Sequence, residues 1–261
     1  HVGMGVVICE DVLDIDVDFL QEYTSALKAL NVKNFRLSET NGQQIAINDT
    51  GFEFPSEDVK IAPQRFTNLR QLDLPIEIKI RAGKFIDLLE DAIYSALVEY
   101  CTYFPDASTT AWWRPHGHIA MYGPGQRIGP HCDDQIPYKW GEKSNNQVSI
   151  HNSTSINLYL NDWASSNEIT RECTFTGGEL YFPLIDYKLK PKAGSIALYP
   201  SNYLGTHEVK PVLSGERFAY LTMACYGTSL DQEEFVGQEN NQKIWMPDIF
   251  KRGPYRSIQN I

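Results

Sequence analysis

The sequence predicts an α+β chain in which supporting helices come first and a β-sandwich or barrel follows. Three observations carry this expectation. Two long segments repeat their apolar residues every three to four positions. From Gly117 onward, short β-branched and aromatic runs replace that pattern. Turn residues separate those runs.

The first helix is expected from Asp14 to Leu30, where Leu13, Val17, Phe19, Leu20, Tyr23, Ala26, Leu27 and Leu30 form an apolar stripe. The second runs from Lys84 to Phe104, built on Phe85, Leu88, Leu89, Ala92, Ile93, Ala96, Leu97 and Tyr100, with Pro105 as its stop. Such stripes predict packing on a sheet. Val6–Cys9 reads as a short strand, and residues 38–62 as loops with one short hairpin. Further strands are expected at His118–Met121, Ser155–Leu160, Glu179–Phe182, Ser195–Tyr199 and Phe218–Ala224. Turns at Gly123-Pro124-Gly125, Gly177-Gly178, Lys192-Ala193-Gly194 and Ser214-Gly215 punctuate them. Two stretches break the rhythm. Asp134–Thr154 is a long polar loop holding Tyr138, Trp140 and His151, and Ser229–Ile261 is a tail holding Trp245, Phe250 and Tyr255. Residues 1–261 are expected to form a single domain, with helices 14–30 and 84–104 supporting a core at about 116–228.

The chain has 261 residues, 42% hydrophobic and 21% charged, which is ordinary globular composition. No apolar run approaches the ~20 residues needed to cross a bilayer, and no cleavable signal pattern opens the chain. His1-Val2-Gly3 ahead of Met4 reads as the scar of a removed tag. A formal charge of −10 argues against nucleic acid and anionic membrane as partners. Cys9, Cys101, Cys132, Cys173 and Cys225 are odd in number, widely spaced and without a CxxC pair. That argues against a disulfide framework or structural zinc, and for a reducing, cytoplasmic location.

The candidate chemistry starts at His131-Cys132-Asp133. In extended backbone, residues i and i+2 project to one side, so His131 and Asp133 can reach one ion, with Cys132 facing away. A second imidazole completes a two-His-one-carboxylate face, which leaves positions open on an octahedral Fe(II). Alone, the triplet is weak evidence, because Gly129-Pro130 before it also suits a surface turn. His207 supplies the second half, with a strand pair, Glu179–Phe182 and Ser195–Tyr199, lying between. A sandwich brings strands distant in sequence onto one cavity. If the chain turns back at Ser214-Gly215, Arg217 enters that cavity. A guanidinium there holds a carboxylate through two parallel hydrogen bonds. The plain alternative is a surface ion pair.

Five blocks occur in the order of a known family: Tyr122-Gly-Pro-Gly-Gln-Arg-Ile-Gly-Pro-His131-Cys-Asp133, Ile156-Asn-Leu-Tyr-Leu-Asn161, Gly177-Gly-Glu-Leu-Tyr-Phe-Pro183, Pro191-Lys-Ala-Gly-Ser-Ile-Ala-Leu-Tyr-Pro200 and His207-Glu-Val-Lys-Pro-Val-Leu-Ser-Gly-Glu-Arg217. Residues 122–227 resemble the prolyl 4-hydroxylase-like branch of the 2-oxoglutarate- and iron(II)-dependent dioxygenases. The resemblance implies a double-stranded β-helix, a distorted cupin-like jelly roll, with N-terminal helices packed on one sheet. It implies His131, Asp133 and His207 as iron ligands and Arg217 as the partner of the distal 2-oxoglutarate carboxylate. Tyr122, Asn157 and Tyr159 match positions that line the cosubstrate pocket; for Tyr159 core packing is the competing reading. Fe(II), 2-oxoglutarate and O2 follow as cofactor and cosubstrates, with ascorbate as a further candidate. Ile128 departs from the pattern, since many members carry an aromatic residue there.

The implied reaction is hydroxylation of an unactivated C–H bond, with 2-oxoglutarate decarboxylated to succinate. Asp133 argues against the related halogenases, which replace this carboxylate with a small residue. The first substrate expectation is a prolyl residue in a peptide or protein, on whose ring Tyr138 and Trp140 would stack. The alternatives are the same chemistry on a free amino acid or other small molecule, and a non-catalytic cupin-like protein holding zinc. Nucleobase demethylation ranks low, because the next arginine after Arg217 is Arg252 in the tail. Trp112-Trp113-Arg114 and the tail would cover a sheet face or form a dimer contact. His116, His118 and His151 are read as structural or solvated, with His118 the first to check. The oligomeric state is left open by the sequence.

Overall fold

A computed structural model describes residues 1–30, 32, 35–40, 43–48, 53–111, 113–134, 151–165, 174–226 and 243–245. Strand β1 (Val7–Cys9) leads to helix α1 (Val17–Ala29). The Asp16 side chain caps that helix by accepting from the Phe19 amide at 2.9 Å. Strands β2 (Phe35–Thr40), β3 (Gln43–Asn48) and β4 (Glu53–Pro55) form a separate three-stranded sheet, where the sequence predicted only one hairpin. Strand β5 (Gln64–Phe66) precedes helix α2 (Ile76–Tyr103). That helix starts well before the predicted Lys84. Ile76-Glu77-Ile78-Lys79-Ile80 alternates with period two, and Ile76 and Ile80 stand 68% and 57% exposed. Of residues 76–80 Ile78 packs on the core, ahead of buried Ala82, so the first turns carry a stripe one residue wide, masked by the exposed Ile76 and Ile80. Pro105 ends the helix as expected.

After α2 come β6 (Trp113–Pro115), β7 (His118–Tyr122), β8 (Ile128–His131), β9 (His151–Tyr159), β10 (Asp162–Trp163), β11 (Thr174–Gly177) and β12 (Leu180–Phe182). Then follow β13 (Tyr187–Leu189), β14 (Ile196–Pro200), β15 (His207–Val209), β16 (Val212–Gly215), β17 (Arg217–Tyr226) and β18 (Lys243–Trp245). The large sheet runs β1-β14-β9-β17-β6-β18, with β7 also paired to β17 and β5 paired to β7. The small sheet runs β13-β12-β15-β8, and β10, β11 and β16 form a third. The expected pair Glu179–Phe182 and Ser195–Tyr199 is not a pair. The first segment (β12) joins the small sheet and the second (β14) the large one. The predicted loop Asp134–Thr154 ends earlier than Thr154. His151 already opens β9, and Asn152 and Thr154 pair with Cys225 and Ala224. Its residues 135–150, with Tyr138 and Trp140, lie outside the described residues, as do Trp112, Cys173 and the tail apart from β18, where Trp245 pairs opposite Trp113.

Alternation along the large sheet serves two cores. Ile156, Leu158, Ile196, Leu198, Phe218 and Tyr220 pack with both helices. Their neighbours Tyr159, Ala197, Tyr199 and Ala219 face the other way, with Leu180, Phe182 and Val209 of the small sheet. This second face, between the two sheets, carries the candidate site. Among the described residues no helix is long and apolar enough to cross a membrane.

One charged group is buried on the helix side. Glu90 of α2 pairs with Arg114, accepts from the Tyr220 hydroxyl, and accepts from the Gly117 amide at 3.3 Å. This explains Arg114, which is 2% exposed, in the motif the sequence left unassigned. His116 joins at 3.6 Å from the same carboxylate. Gly117 is required, because a Cβ would stand 2.3 Å from the Tyr220 ring.

Burial alone would raise the Glu90 pKa, but His116, Arg114 and Tyr220 outweigh it and bring it from 4.5 to about 2. A depressed acid stabilises the fold above its unfolded pKa, and that contribution is lost as pH falls through the folded value. Urea unfolding should therefore show stability falling from about pH 4.5 toward 2, by on the order of 3 kcal/mol from this group. Glu90→Gln should flatten that slope. Glu90→Ala, which strands Arg114, should cost about 3–5 kcal/mol at neutral pH.

Candidate metal centre and cosubstrate pocket

His131 ends β8 and His207 opens β15, and these neighbouring strands place the two residues directly opposite each other. Their ring centroids are 4.3 Å apart. Two strands far apart in sequence are thus brought together, and both imidazoles sit in one sheet. Asp133 lies just beyond β8, so the extended i, i+2 geometry stops short of it. Its amide donates to the Ser201 carbonyl at 2.9 Å, and its own carbonyl accepts from Asn152 Nδ2 at 2.6 Å. Those two bonds turn the carboxylate onto the imidazoles. Oδ1 is 3.4 Å from His131 Nε2 and Oδ2 is 3.8 Å from His207 Nε2.

Each histidine places its Nδ1 against a carbonyl two residues earlier, His131 on Gly129 at 2.8 Å and His207 on Gly205 at 2.9 Å. An N–H there leaves Nε2 as the free lone pair on both rings, which is how metal-binding imidazoles are oriented. Burial pushes the Asp133 pKa up, but His207, His131 and the Ser155 hydroxyl hold it well below the usual carboxylate range. Burial depresses His207, whereas for His131 the Asp133 hydrogen bond overcomes burial and raises it. The ligand atoms of His131, Asp133 and His207 lie within 4.8 Å of one another. Two neutral nitrogens and one ionised carboxylate at such spacing suit one divalent ion.

Arg217 opens β17 in the large sheet, whereas both histidines sit in the small one, and it is 1% exposed. Its guanidinium lies 4.7 Å from the Tyr122 ring centre and 5.4 Å from that of Tyr159. Among the described residues, Arg217 Nε and Nη1 and the Tyr159 hydroxyl have no hydrogen-bond partner. Buried donors left unpaired are costly, so this corner is built for an acceptor group. Burial pushes the Tyr159 phenol up to about 12 despite Arg217 beside it, so its O–H remains a donor.

Three residues at the site escaped the sequence reading. Ser155 donates to Asp133 Oδ2 at 2.7 Å, and Ser201 stands 2.9 Å behind it. Tyr199 places its hydroxyl 3.2 Å from His207 Nε2. Asn157, expected in the cosubstrate pocket, donates to that hydroxyl at 3.0 Å. Alternation on β9 from Tyr159 through Asn157 to Ser155 was the available signal. His118 lies 3.0 Å from Arg65, and Cys132 contacts Asp134 at 3.3 Å, outside the triad.

The family model of the 2OG-Fe(II) oxygenase superfamily matches residues 117–223. That span covers every residue of the triad and Arg217. A PKHD-type hydroxylase of Prochlorococcus marinus (strain MIT 9515) is 35% identical over 78 residues, covering 29% of this chain and 34% of that protein. The chain thus matches about a third of that relative's length. A prolyl hydroxylase from Trichoplax adhaerens, in complex with a hypoxia inducible factor oxygen degradation domain peptide fragment, superposes with a TM-score of 0.51. It is 16% identical, and the match covers 90% of this chain and 88% of that one. That likeness speaks for the fold. A viral collagen prolyl hydroxylase from Paramecium Bursaria Chlorella virus-1 gives 0.47 at 16% identity, covering 84% and 93%.

The segment that this model matches carries donors that fit the superfamily's groups. The triad suits Fe(II), and the unpaired Arg217 and Tyr159 donors suit a carboxylate of 2-oxoglutarate; dioxygen is the oxidant of this class. Because Ser155 fixes one Asp133 oxygen, Ser155→Ala should lower affinity for a divalent ion about tenfold or more. Titration with Mn(II) at constant pH measures this; an unchanged affinity would show that the backbone bonds alone orient Asp133.

Proposed function

We propose that this chain is an iron(II)- and 2-oxoglutarate-dependent dioxygenase that hydroxylates a prolyl residue in a peptide or protein. The carrying observation is a His-Asp-His cluster on one sheet together with a buried guanidinium, two of whose nitrogens are unpaired among the described residues, on the facing sheet. A metal-binding cupin without catalysis gives Arg217 no task. The two facing sheets with helices on the outer face support a double-stranded β-helix, with residues at about 116–228 as its core. The peptide preference takes its support from the prolyl-hydroxylase blocks in the sequence and from the peptide held by the Trichoplax relative. Free thiols at Cys9, Cys101, Cys132 and Cys225 suit a reducing, cytoplasmic setting.

In this reading His131, Asp133 and His207 hold the iron, with Nδ1 of each imidazole tied to backbone. When bound, iron and cosubstrate supply the oxidising power for C–H hydroxylation, with loss of carbon dioxide and formation of succinate. The chain's own work is binding, orientation and exclusion of water. Arg217 receives the distal carboxylate through a charge-assisted pair of hydrogen bonds, joined by the Tyr159 hydroxyl. Tyr122 and Tyr159, 2% and 0% exposed, wall that end of the pocket against solvent. Ser155 and Ser201 keep the Asp133 carboxylate turned inward.

Proline-rich peptides incubated with enzyme, Fe(II), 2-oxoglutarate and oxygen should gain one oxygen atom while succinate accumulates. Turnover indifferent to every peptide, but stimulated by small amino acids, would redirect the substrate assignment. Arg217→Ala should weaken 2-oxoglutarate binding by about a hundredfold or more while metal affinity holds. Asp133→Ala should abolish both metal binding and turnover with the fold retained. Equal 2-oxoglutarate affinity in wild type and Arg217→Ala would remove the cosubstrate from this pocket.

A further inference from the structure

The Tyr199 hydroxyl stands closer to His207 Nε2 than the Asp133 carboxylate does, which is 3.8 Å away. That hydroxyl is 3.2 Å from His207 Nε2, the atom that faces the metal position. The hydrogen positions follow from the partners. His207 Nδ1 lies on the Gly205 carbonyl at 2.9 Å, so it carries the proton and Nε2 offers a lone pair. Asn157 Nδ2 donates to the Tyr199 oxygen at 3.0 Å, leaving the phenolic O–H to point at Nε2. Tyr199 is 0% exposed and its ring rests edge-on against Phe182, with centroids 5.1 Å apart, so it has no route to water.

A metal ion on His207 takes that lone pair. The Tyr199 O–H then loses its acceptor inside a buried site, where an unpaired donor is costly. Asp133 Oδ2 already accepts from Ser155. We propose that the Tyr199 hydroxyl exchanges partners on metal loading, releasing His207 Nε2 and donating to a carboxylate oxygen bound to the metal beside it. Tyr199 thereby becomes the donor for the metal-side end of the 2-oxo acid, while Arg217 and Tyr159 serve the far end. Spacing supports this. Asn157 and Tyr159 are i and i+2 on β9, about 6.6–6.8 Å apart along one face, a span suited to a five-carbon dicarboxylate. The exchange also makes Tyr199 a competitor of the metal for His207. The inference rests on the iron/2-oxoglutarate reading above.

The test is Tyr199→Phe, which keeps the ring on Phe182. Mn(II) affinity is measured by titration, 2-oxoglutarate affinity on the Mn(II)-loaded protein by calorimetry, and the visible band of the anaerobic Fe(II)–2-oxoglutarate complex by absorption. The expected result is Mn(II) affinity unchanged or tighter, 2-oxoglutarate affinity about tenfold weaker, and a shifted band. Asn157→Ala, which keeps the phenol but removes the partner that aims it, should give a smaller loss of the same sign. Mn(II) affinity reduced tenfold in Tyr199→Phe would make Tyr199 a ligand or a prop for His207 and overturn the exchange. Unchanged 2-oxoglutarate affinity in both variants would overturn it as well. Wild-type protein that develops no band with Fe(II) and 2-oxoglutarate would overturn the underlying reading instead, a failure seen before any variant is compared.

Discussion

Burying a carboxylate normally drives it toward its protonated form, and at Asp133 that tendency is reversed. Two imidazoles face it, a serine hydroxyl donates to it, and its backbone is pinned at both the amide and the carbonyl. The partners arrive on four elements: β8, β15, β9 and the segment after β14. Keeping one charge ionised in a closed place therefore requires both sheets to be docked in register. The cost of an unpaired buried charge acts as a constraint on tertiary structure, because no local rearrangement of the 131–134 segment could satisfy Asp133.

The large sheet is suited to this because its two faces differ so sharply. On the helix side Ile156, Leu158, Ile196 and Leu198 give an apolar layer beneath α1 and α2. On the cavity side the residues between them are Ser155, Asn157, Ala197 and Tyr199. A slip of one residue in the pairing of β9 with β14 would exchange these sets and put hydroxyls against the helices. The same alternation thus fixes the register and presents the polar row. The Glu90–Arg114–Tyr220 cluster is an exception on the helix face, and it is tolerated because each charged member has a partner.

Much of the site was legible because it depends on residue type and order. His131, Asp133, His207 and Arg217 belong to a chemistry with few alternatives, and the helices announced themselves through apolar stripes. What stayed hidden depends on pairing. Nothing in Ser155 or Tyr199 marks them as neighbours of a metal until β9 is laid against β14 and Tyr199 meets Ser155 across the strands. The assignment of Glu179–Phe182 and Ser195–Tyr199 to different sheets was invisible for the same reason. The missed start of α2 has another cause: exposed Ile76 and Ile80 beside packed Ile78 give a period of two that hides the thin helical stripe of Ile78 and Ala82.

The separation of His207 from Arg217 along the chain follows from this architecture. Between them β15 runs in the small sheet, β16 pairs with β11, and β17 enters the large sheet. The change of sheet is made at Gly215, whose φ of +71° and whose approach to the Thr174 carbonyl leave no room for a Cβ. His207 and Arg217 thus reach different sheets through a fixed number of residues on a fixed turn. A ligand that touched both would bridge the sheets, and its length would have to match their gap. A longer loop after Val212 would let the two sites drift, and a side chain at 215 would prevent the crossing. The spacing from His207 to Arg217 is therefore a measure of the cavity's width as much as a sequence motif.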